Sequence, residues 1–337
     1  MNKALIQKIM RAIKRRLKKI HPSNLWWILN QKYRCCRMSS LNHKYVQHIL
    51  QELPKATINR EHECKITVTF GSRQFGNRDN LLTKFFTTFL AMTENAYHFE
   101  FLIKVDFDDD LFFFYKTKKR FEKRINLRFF PSERGRGYAD MHIWHSTLIK
   151  NRNPASRALL ILSEDAEFTY KHWDRKLLEC MDSIPHNYFI GTPCTLEQAI
   201  TIMGPNPTIP EPVYWVRGDD YPILSFKLLE ATERVARKYS GWTCLGNLFN
   251  VDGFPGDILR SLWLRHKINC HMQIPLFFQR RGVFCWSENP KRAQVRSETL
   301  LQFFKKEHQA VRDEMADAIV EDLNKFSLLP KMFIKGK

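Results

Sequence analysis

From residue 65 onward, short apolar runs alternate with longer segments whose apolar side chains have helical spacing. Four runs have the length of strands, and they lie at 65–70, 99–105, 125–130 and 157–162. Between the first two runs, residues 80–93 place apolar side chains three and four positions apart, as an amphipathic helix does. This alternation is typical of α/β proteins, in which helices connect the strands of a mainly parallel sheet. We therefore predict a mixed sheet flanked by helices.

The second half of the chain has a less regular pattern. Residues 205–212 contain four prolines, which excludes an ordinary helix or a central strand there and predicts a loop or linker. After this loop we predict a strand at 213–216 and a helix over 224–239. Two more helices are predicted, one opened by residues 251–257 and a long terminal one over 297–325.

The net charge is concentrated at one end of the chain. The 337 residues include 54 Lys and Arg against 35 Asp and Glu, a formal net charge of +19. Such an excess predicts contact with an anionic partner, which is nucleic acid, an acidic membrane surface or a phosphorylated ligand. No acidic residue precedes Glu52, so the first 51 residues carry +12 and the remaining 286 carry +7. The basic signal therefore belongs mostly to the N-terminal segment.

The N-terminal segment, residues 1–50, has the pattern of a basic amphipathic helix. One helical stripe collects the aliphatic side chains of Ile6, Ile9, Ile13, Leu17 and Ile20, and lysines and arginines surround it. Trp26 and Trp27 follow, and indole rings suit a membrane–water boundary. The segment is predicted to anchor the protein to anionic lipid. The alternative, given equal weight, is a helix that packs on the main domain or a partner chain with a solvated basic face.

The apolar runs and the cysteines of the sequence indicate the compartment in which the protein is located. Charges interrupt every apolar run of the length that a secretory signal needs, and no stretch approaches about 18 consecutive apolar residues. The eight cysteines form no Cys-x-x-Cys pair, which indicates thiols in a reducing compartment. We expect a cytoplasmic protein, either free or peripheral on the cytosolic face of a membrane.

Carboxylates gather where two of the predicted strands end. Asp106 closes the second strand and is followed by Asp108, Asp109 and Asp110, while Glu164 and Asp165 follow the most apolar strand. Ligands of open α/β sheets bind at the carboxyl ends of strands, and carboxylate oxygens suit Mg²⁺ or Mn²⁺. The alternatives are an exposed acidic turn for the first group and helix-start charges for the second.

At this point residues 65 to about 265 resemble a GT-A-type glycosyltransferase, close in layout to glycosyltransferase family 2 and related nucleotide-diphospho-sugar transferases. The motifs that carry the resemblance are Thr69-Phe-Gly-Ser-Arg73, Phe101-Leu-Ile-Lys-Val-Asp106, Arg134-Gly-Arg-Gly137 and Leu160-Ile-Leu-Ser-Glu-Asp165. The resemblance implies a GT-A-like, Rossmann-type mixed sheet with helical N- and C-terminal extensions. It divides the chain into the N-terminal segment 1–50, a transferase domain over 60–290 and a C-terminal helix over 297–326.

The resemblance also assigns roles to residues of this sequence. Nucleotide-sugar binding is implied for Gly71, Ser72, Arg73, Asp106 and Arg136. Asp165 and Glu164 correspond to the family's metal-binding acidic motif, which implies Mn²⁺ or Mg²⁺ as the cofactor. Ser163 stands where the commonest version of that motif has its first Asp, so a weakened or metal-independent site stays open.

An acceptor-side carboxylate, the base in inverting members of the family, lies near the start of a later helix. Asp252 and Asp257 stand in that region of this chain, and Asp257 is ranked first. The implied reaction moves a sugar from a nucleotide-diphosphate donor to the hydroxyl of an acceptor, which is a glycan, a lipid or a protein. The sequence does not decide between inversion and retention.

Two other functions stay open at this point. The net charge and tryptophans near basic residues are features of a nucleic-acid-binding protein, but core packing is the simpler explanation of those tryptophans and no nucleic-acid-binding module is recognised. Nucleic acid is therefore the less favoured partner. Ser163 keeps open a GT-A-like scaffold that has lost catalysis.

Overall fold

The structure is a computed structural model, and it describes residues 43–57, 63–72, 81–133, 147–184, 186–192, 223–238, 254–274, 278–280 and 306–325. The helices are α1 (His43–Glu52), α2 (Leu81–Met92), α3 (Leu111–Phe121), α4 (Trp173–Asp182), α5 (Phe226–Ala236), α6 (Phe254–His266) and α7 (Lys306–Lys325). The strands are β1 (Ile66–Gly71), β2 (Phe99–Asp106), β3 (Asn126–Ser132), β4 (Ala158–Ile161), β5 (Ala166–Phe168), β6 (Ile190–Thr192), β7 (Ile223–Ser225), β8 (His271–Gln273) and β9 (Phe278–Arg280).

Seven of these strands form one mixed sheet in the order β3-β2-β1-β4-β7-β6-β8. β1 pairs in parallel with both β2 and β4, and β2 pairs in parallel with β3. β7 is antiparallel to its neighbours β4 and β6, while β6 and β8 are parallel. β5 and β9 make a separate antiparallel pair. The α/β class, a mixed sheet flanked by helices, is confirmed.

The strand order reverses direction at β1. The chain builds β2 and then β3 on one side of β1 and afterwards returns to place β4 on the other side. In open α/β sheets the loops at such a reversal diverge above the carboxyl ends of the two strands and leave a crevice for a ligand. The reversal therefore puts a candidate site above the ends of β1 and β4.

The sheet is covered by hydrophobic clusters on both faces. On one face, α2 and α4 contribute Phe85, Phe86, Phe89 and Trp173, whose rings contact those of β2 and of one another at centroid distances of 4.9–6.2 Å. On the other face, α5, α6 and α7 pack against β4 and β7. β4 shows the division directly, because Ala158 and Leu160 belong to the first cluster and Leu159 and Ile161 to the second. Burial on both faces explains why this strand is apolar throughout.

The C-terminal helix α7 is part of this second cluster. Its buried side chains Met315, Ile319 and Leu323 lie one turn apart and face α5 and α6. An ion pair between Arg265 of α6 and Asp317 of α7, with a 2.7 Å distance from Nη2 to Oδ2, joins the two helices at the surface. The described part of the predicted terminal helix thus packs on the sheet domain.

Several predicted elements are confirmed with small shifts, including β1 to β4, α2 and α6. The helix predicted from residue 224 begins instead at Phe226, because Ile223–Ser225 forms β7 and the Ser225 hydroxyl accepts the Leu228 N–H at 3.2 Å as the helix cap. α1, β5, α4, β6, β7, β8 and β9 were not predicted from the sequence. The predicted loop at 205–212 and strand at 213–216 lie outside the described residues. Within the described part of the chain, no helix is long and apolar enough to cross a membrane.

Candidate functional site

Ser72, the residue after β1, links the ends of β1 and β4, the two strands at which the strand order reverses. The Ser72 N–H donates to the Lys104 carbonyl at 2.9 Å, which extends the pairing with β2 by one residue. The Ser72 side chain is 4% exposed, and its Oγ donates to Oε2 of Glu164 at 2.5 Å. Because Glu164 follows β4, this hydrogen bond crosses the crevice between the carboxyl ends of β1 and β4. Gly71, beside it in β1, is exposed and has no side chain to fill the crevice.

The segment after β4 is held in a tight turn. The Leu162 N–H donates to the Thr69 carbonyl at 3.2 Å, and the Ala166 N–H donates to the Ser163 carbonyl at 3.1 Å. Within this turn the Ser163 hydroxyl donates to the carboxylate of Asp165, a residue that is 6% exposed. The chain then enters β5, where Ala166 pairs with Arg280 of β9. Asp165 therefore lies at the junction of the main sheet and the two-stranded sheet.

The end of β2 contributes a buried ion pair. Lys104 and Asp106 are two positions apart and so lie on one face of the strand, where the ammonium donates to the Asp106 carboxylate. Only 10% of the Lys104 side chain and 4% of the Asp106 side chain are exposed. Attraction between the two charges in this buried setting offsets part of the cost of removing them from water. The carboxylate that the resemblance assigns to the nucleotide is therefore held in place by a lysine.

The other acids of this cluster have local structural contacts. The Asp109 carboxylate accepts the Asp110 N–H at 2.8 Å, and the Asp110 carboxylate accepts the Phe113 N–H at 3.2 Å and caps α3. Asp108 is exposed. Turn and cap contacts thus account for much of the dense acidic run, and Asp106 is the member that lies at the strand end.

The structure brings together Ser72, Asp106, Glu164 and Asp165 above three adjacent strands, β2, β1 and β4. The other predicted site residues are less fully placed. Asp257 lies in the first turn of α6, where the sequence predicts a helix start with an acid. Arg73, Arg136 and Asp252 lie outside the described residues.

The side chains at the end of β4 offer the oxygen ligands that a hard cation needs. The hydroxyl of Ser163 and the carboxylates of Glu164 and Asp165 are oxygen donors, the class that Mg²⁺ and Mn²⁺ prefer. No group of three or more His, Cys, Asp or Glu side chains suited to a metal ion occurs among the described residues. The donor set therefore fits a site in which one or two carboxylates hold the ion and substrate phosphates complete its coordination.

Lys104 is the site residue that the sequence analysis passed over. Its signal was a lysine inside a mainly apolar strand, two positions before an aspartate. On an alternating strand that spacing puts the two charges on the same face, and a charged pair at a buried position is the arrangement that satisfies both groups.

Comparisons with known proteins give structural neighbours only. No family model and no curated protein matches the chain. TarS residues 1–349 from S. aureus, in complex with UDP-GlcNAc, is 12% identical with a TM-score of 0.42, and the match covers 81% of this chain and 76% of that one. The mannosyltransferase PcManGT from Pyrobaculum calidifontis, in complex with GDP-Man and Mn²⁺, is 8% identical with a TM-score of 0.46 over 91% of this chain and 86% of that one.

A third similar structure, 4-diphosphocytidyl-2C-methyl-D-erythritol synthase from Anaerococcus prevotii, is 13% identical with a TM-score of 0.37 and is matched over 99% of its length and 71% of this chain. Two of the three structures are complexes with nucleotide sugars.

Proposed function

We propose that this chain is a GT-A-type glycosyltransferase that moves a sugar from a nucleotide-diphosphate donor to an acceptor hydroxyl. The observation that carries the proposal is the hydrogen bond from Ser72 to Glu164, which joins the carboxyl ends of β1 and β4 at the point where the strand order reverses. Asp165 follows directly, and Asp106 ends the neighbouring strand. Polar groups that converge at such a crevice are the general arrangement for nucleotide binding in open α/β sheets.

In this proposal the donor lies across the ends of β1 and β2. Gly71 leaves the backbone accessible beside Lys104, its partner in the strand register. The Lys104–Asp106 pair fixes an aspartate where the family contacts the base. Arg73 and Arg136 are the proposed partners of the pyrophosphate, since guanidinium groups bind phosphate oxygens bidentately.

Asp165 and Glu164 are the residues that would hold Mn²⁺ or Mg²⁺, with Ser72 and Ser163 orienting their carboxylates by hydrogen bonds. When bound, the cation supplies charge neutralisation for the departing nucleoside diphosphate. The proposed acceptor-side base is Asp257, with Asp252 as the alternative, and it would take the proton of the acceptor hydroxyl in an inverting reaction. The basic N-terminal segment 1–50 is proposed to hold the enzyme at the cytosolic face of an anionic membrane, where the acceptor is a glycan, a lipid or a protein.

A turnover assay tests the proposed reaction. Purified full-length protein is incubated with UDP-sugars and GDP-sugars, with Mn²⁺, Mg²⁺ or a chelator, and release of nucleoside diphosphate is measured. We expect release that depends on the divalent cation and that falls at least about a hundredfold in Asp165→Asn. Without the cation that Asp165 is proposed to hold, the charge on the departing nucleoside diphosphate is no longer stabilised. The matched control is Asp182→Asn at the exposed end of α4, which should keep full activity. Full activity in Asp165→Asn would remove that residue from the metal role.

A second candidate function is donor binding without transfer. It is favoured by Ser163, which stands in place of an acid and whose hydroxyl is already bonded to Asp165. The two functions differ in one result: a scaffold binds a nucleotide sugar in a cation-dependent way but releases no nucleoside diphosphate with any donor.

A further inference from the structure

A second basic segment accounts for most of the charge that remains outside the N-terminal segment. Residues 116–124 contain six Lys or Arg and one acid, a net charge of +5 within a body that carries +7 beyond residue 51. Lys118 is buried, and the other five cations are exposed: Lys116, Lys119, Arg120, Lys123 and Arg124. We call these five exposed side chains the 116–124 patch.

The patch occupies the outer face of α3 and the turn that follows it. The inner face of the helix buries Phe114, Thr117 and Phe121 against the sheet. On the outer side, the Lys116 ammonium lies 4.2 Å from the ring centroid of Phe112, and that of Lys119 lies 5.6 Å from the ring centroid of Tyr115. Both rings are half-buried, so the surface presents cations beside aromatic rings.

The acid-free N-terminal segment enters the described fold beside this patch. Lys118, from the middle of the basic run, donates to the carbonyl oxygens of Glu52, Leu53 and Lys55, the last two at 3.1 and 2.6 Å. These carbonyls belong to the end of α1 and the residues after it, and a cation there also stabilises the helix terminus. The ring of His48 in α1 contacts that of Tyr115 at 6.1 Å. α1 and the residues after it therefore lie against α3, beside the 116–124 patch.

We propose that the 116–124 patch binds an anionic lipid membrane. Basic side chains near an anionic leaflet each add to binding. The positive charge that an anionic membrane would attract is concentrated in residues 1–51 and 116–124, which together hold +17 of the net +19. A single-stranded nucleic acid would need open stacking platforms in a groove, whereas the rings here lie under lysine side chains on a convex helix face.

The experiment compares two full-length variants of equal net charge. The patch variant carries Lys116→Gln, Lys119→Gln, Arg120→Gln and Lys123→Gln. The control variant carries Lys84→Gln, Lys150→Gln, Lys171→Gln and Lys227→Gln, four exposed lysines at scattered positions. Co-sedimentation is measured with vesicles of phosphatidylcholine alone and of phosphatidylcholine with 30% phosphatidylserine, and thermal unfolding checks that each variant is folded.

The proposal expects wild type and the control variant to bind the phosphatidylserine vesicles alike and the patch variant to bind at least about tenfold more weakly. Binding to pure phosphatidylcholine should be negligible for all three. Equal weakening in both variants would overturn the proposal, because binding would then follow net charge. So would unchanged binding in the patch variant, absence of wild-type binding, or a patch variant that loses affinity for a single-stranded oligonucleotide and keeps affinity for vesicles. None of these outcomes depends on glycosyltransferase activity.

Discussion

The hydroxyl of Ser72 donates a 2.5 Å hydrogen bond to Oε2 of Glu164, across the crevice where the strand order of the sheet reverses. The two residues are 92 positions apart in the sequence, and each follows a buried parallel strand. The bond fixes one carboxylate of the proposed cation site to the loop that the donor is proposed to contact. It therefore couples the position of Glu164 to the end of β1.

Removing this hydroxyl should weaken donor binding without unfolding the protein. A hydrogen bond to a charged group contributes about 1.5–3 kcal/mol, so Ser72→Ala is expected to raise the dissociation constant for a nucleotide sugar about tenfold or more in the presence of Mn²⁺. Calorimetric titration measures the change. Ser183→Ala, which removes a hydroxyl bonded to the Cys180 carbonyl at the exposed end of α4, serves as the control. Equal affinities in wild type and Ser72→Ala would contradict the assigned role.

Breaking the buried ion pair at the end of β2 should cost much more than breaking an exposed one. Lys104→Met removes a cation that contacts the buried Asp106 carboxylate, and the expected loss in unfolding free energy is about 3–5 kcal/mol. The double change Lys104→Met with Asp106→Leu should recover most of that loss, because the buried carboxylate is removed together with the lysine. Urea unfolding measures both variants.

An exposed pair provides the comparison for this prediction. Lys55 pairs with Glu52 at 2.5 Å, but 63% of the lysine side chain is exposed. Lys55→Met should therefore cost less than about 1 kcal/mol. If Lys104→Met cost no more than Lys55→Met, the Lys104–Asp106 pair would not be the buried contact described here.

Stability should fall in mild acid because of a buried histidine in β8. Burial lowers the pKa of His271 from its ordinary value of 6.5 to about 4. The unfolded chain therefore takes up a proton between these pH values that the folded chain does not, so the contribution is complete above pH 6.5 and is lost as the pH falls towards 4.

Between pH 7 and pH 5, wild type should lose about 2 kcal/mol more unfolding free energy than His271→Gln. Urea unfolding at the two pH values measures this difference, and His48→Gln, at an exposed histidine, controls for loss of an imidazole. A wild type and a His271→Gln variant with parallel pH profiles would show that His271 is not held neutral by burial.

The C-terminal helix should unfold together with the sheet. Ile319 of α7 is fully buried against α5 and α6, so Ile319→Ala is expected to lower the unfolding free energy by about 2–5 kcal/mol in a single transition. Glu321→Ala, at an exposed position of the same helix, should change it by less than about 0.5 kcal/mol. If α7 were an independent extension, Ile319→Ala would leave the main transition where it is in wild type.

Local patterns were sufficient to predict the first half of the sheet. β4 is a continuous apolar run because both of its faces are covered, and β1 and β2 are rich in β-branched and aromatic residues. The spacing of Phe85, Phe86 and Phe89 identifies α2 as a helix. Short elements carry no such signal. β7 has three residues and owes its conformation to pairing with β4, so Leu224 and Ser225 were assigned to the helix that follows them.

The sequence was enough to predict which strand ends carry the site residues. It was not enough to predict which of these residues contact one another. The position of Asp106 and Asp165 after buried strands follows from sequence alone, since the carboxyl ends of parallel strands meet at one edge. The bond between Ser72 and Glu164 depends on the reversal of strand order, which no local periodicity encodes. The Lys104–Asp106 pair was encoded locally, by a spacing of two on one strand.

Calorimetric titration of the full-length protein with UDP-sugars and GDP-sugars, in the presence of Mn²⁺ and then of a chelator, measures whether the protein binds a nucleotide sugar through a cation. We predict saturable binding of a nucleotide sugar that requires the cation, that is lost in Asp165→Asn and that is kept in Asp182→Asn. Absence of binding with every donor in wild type, or equal binding in wild type and Asp165→Asn, would contradict it.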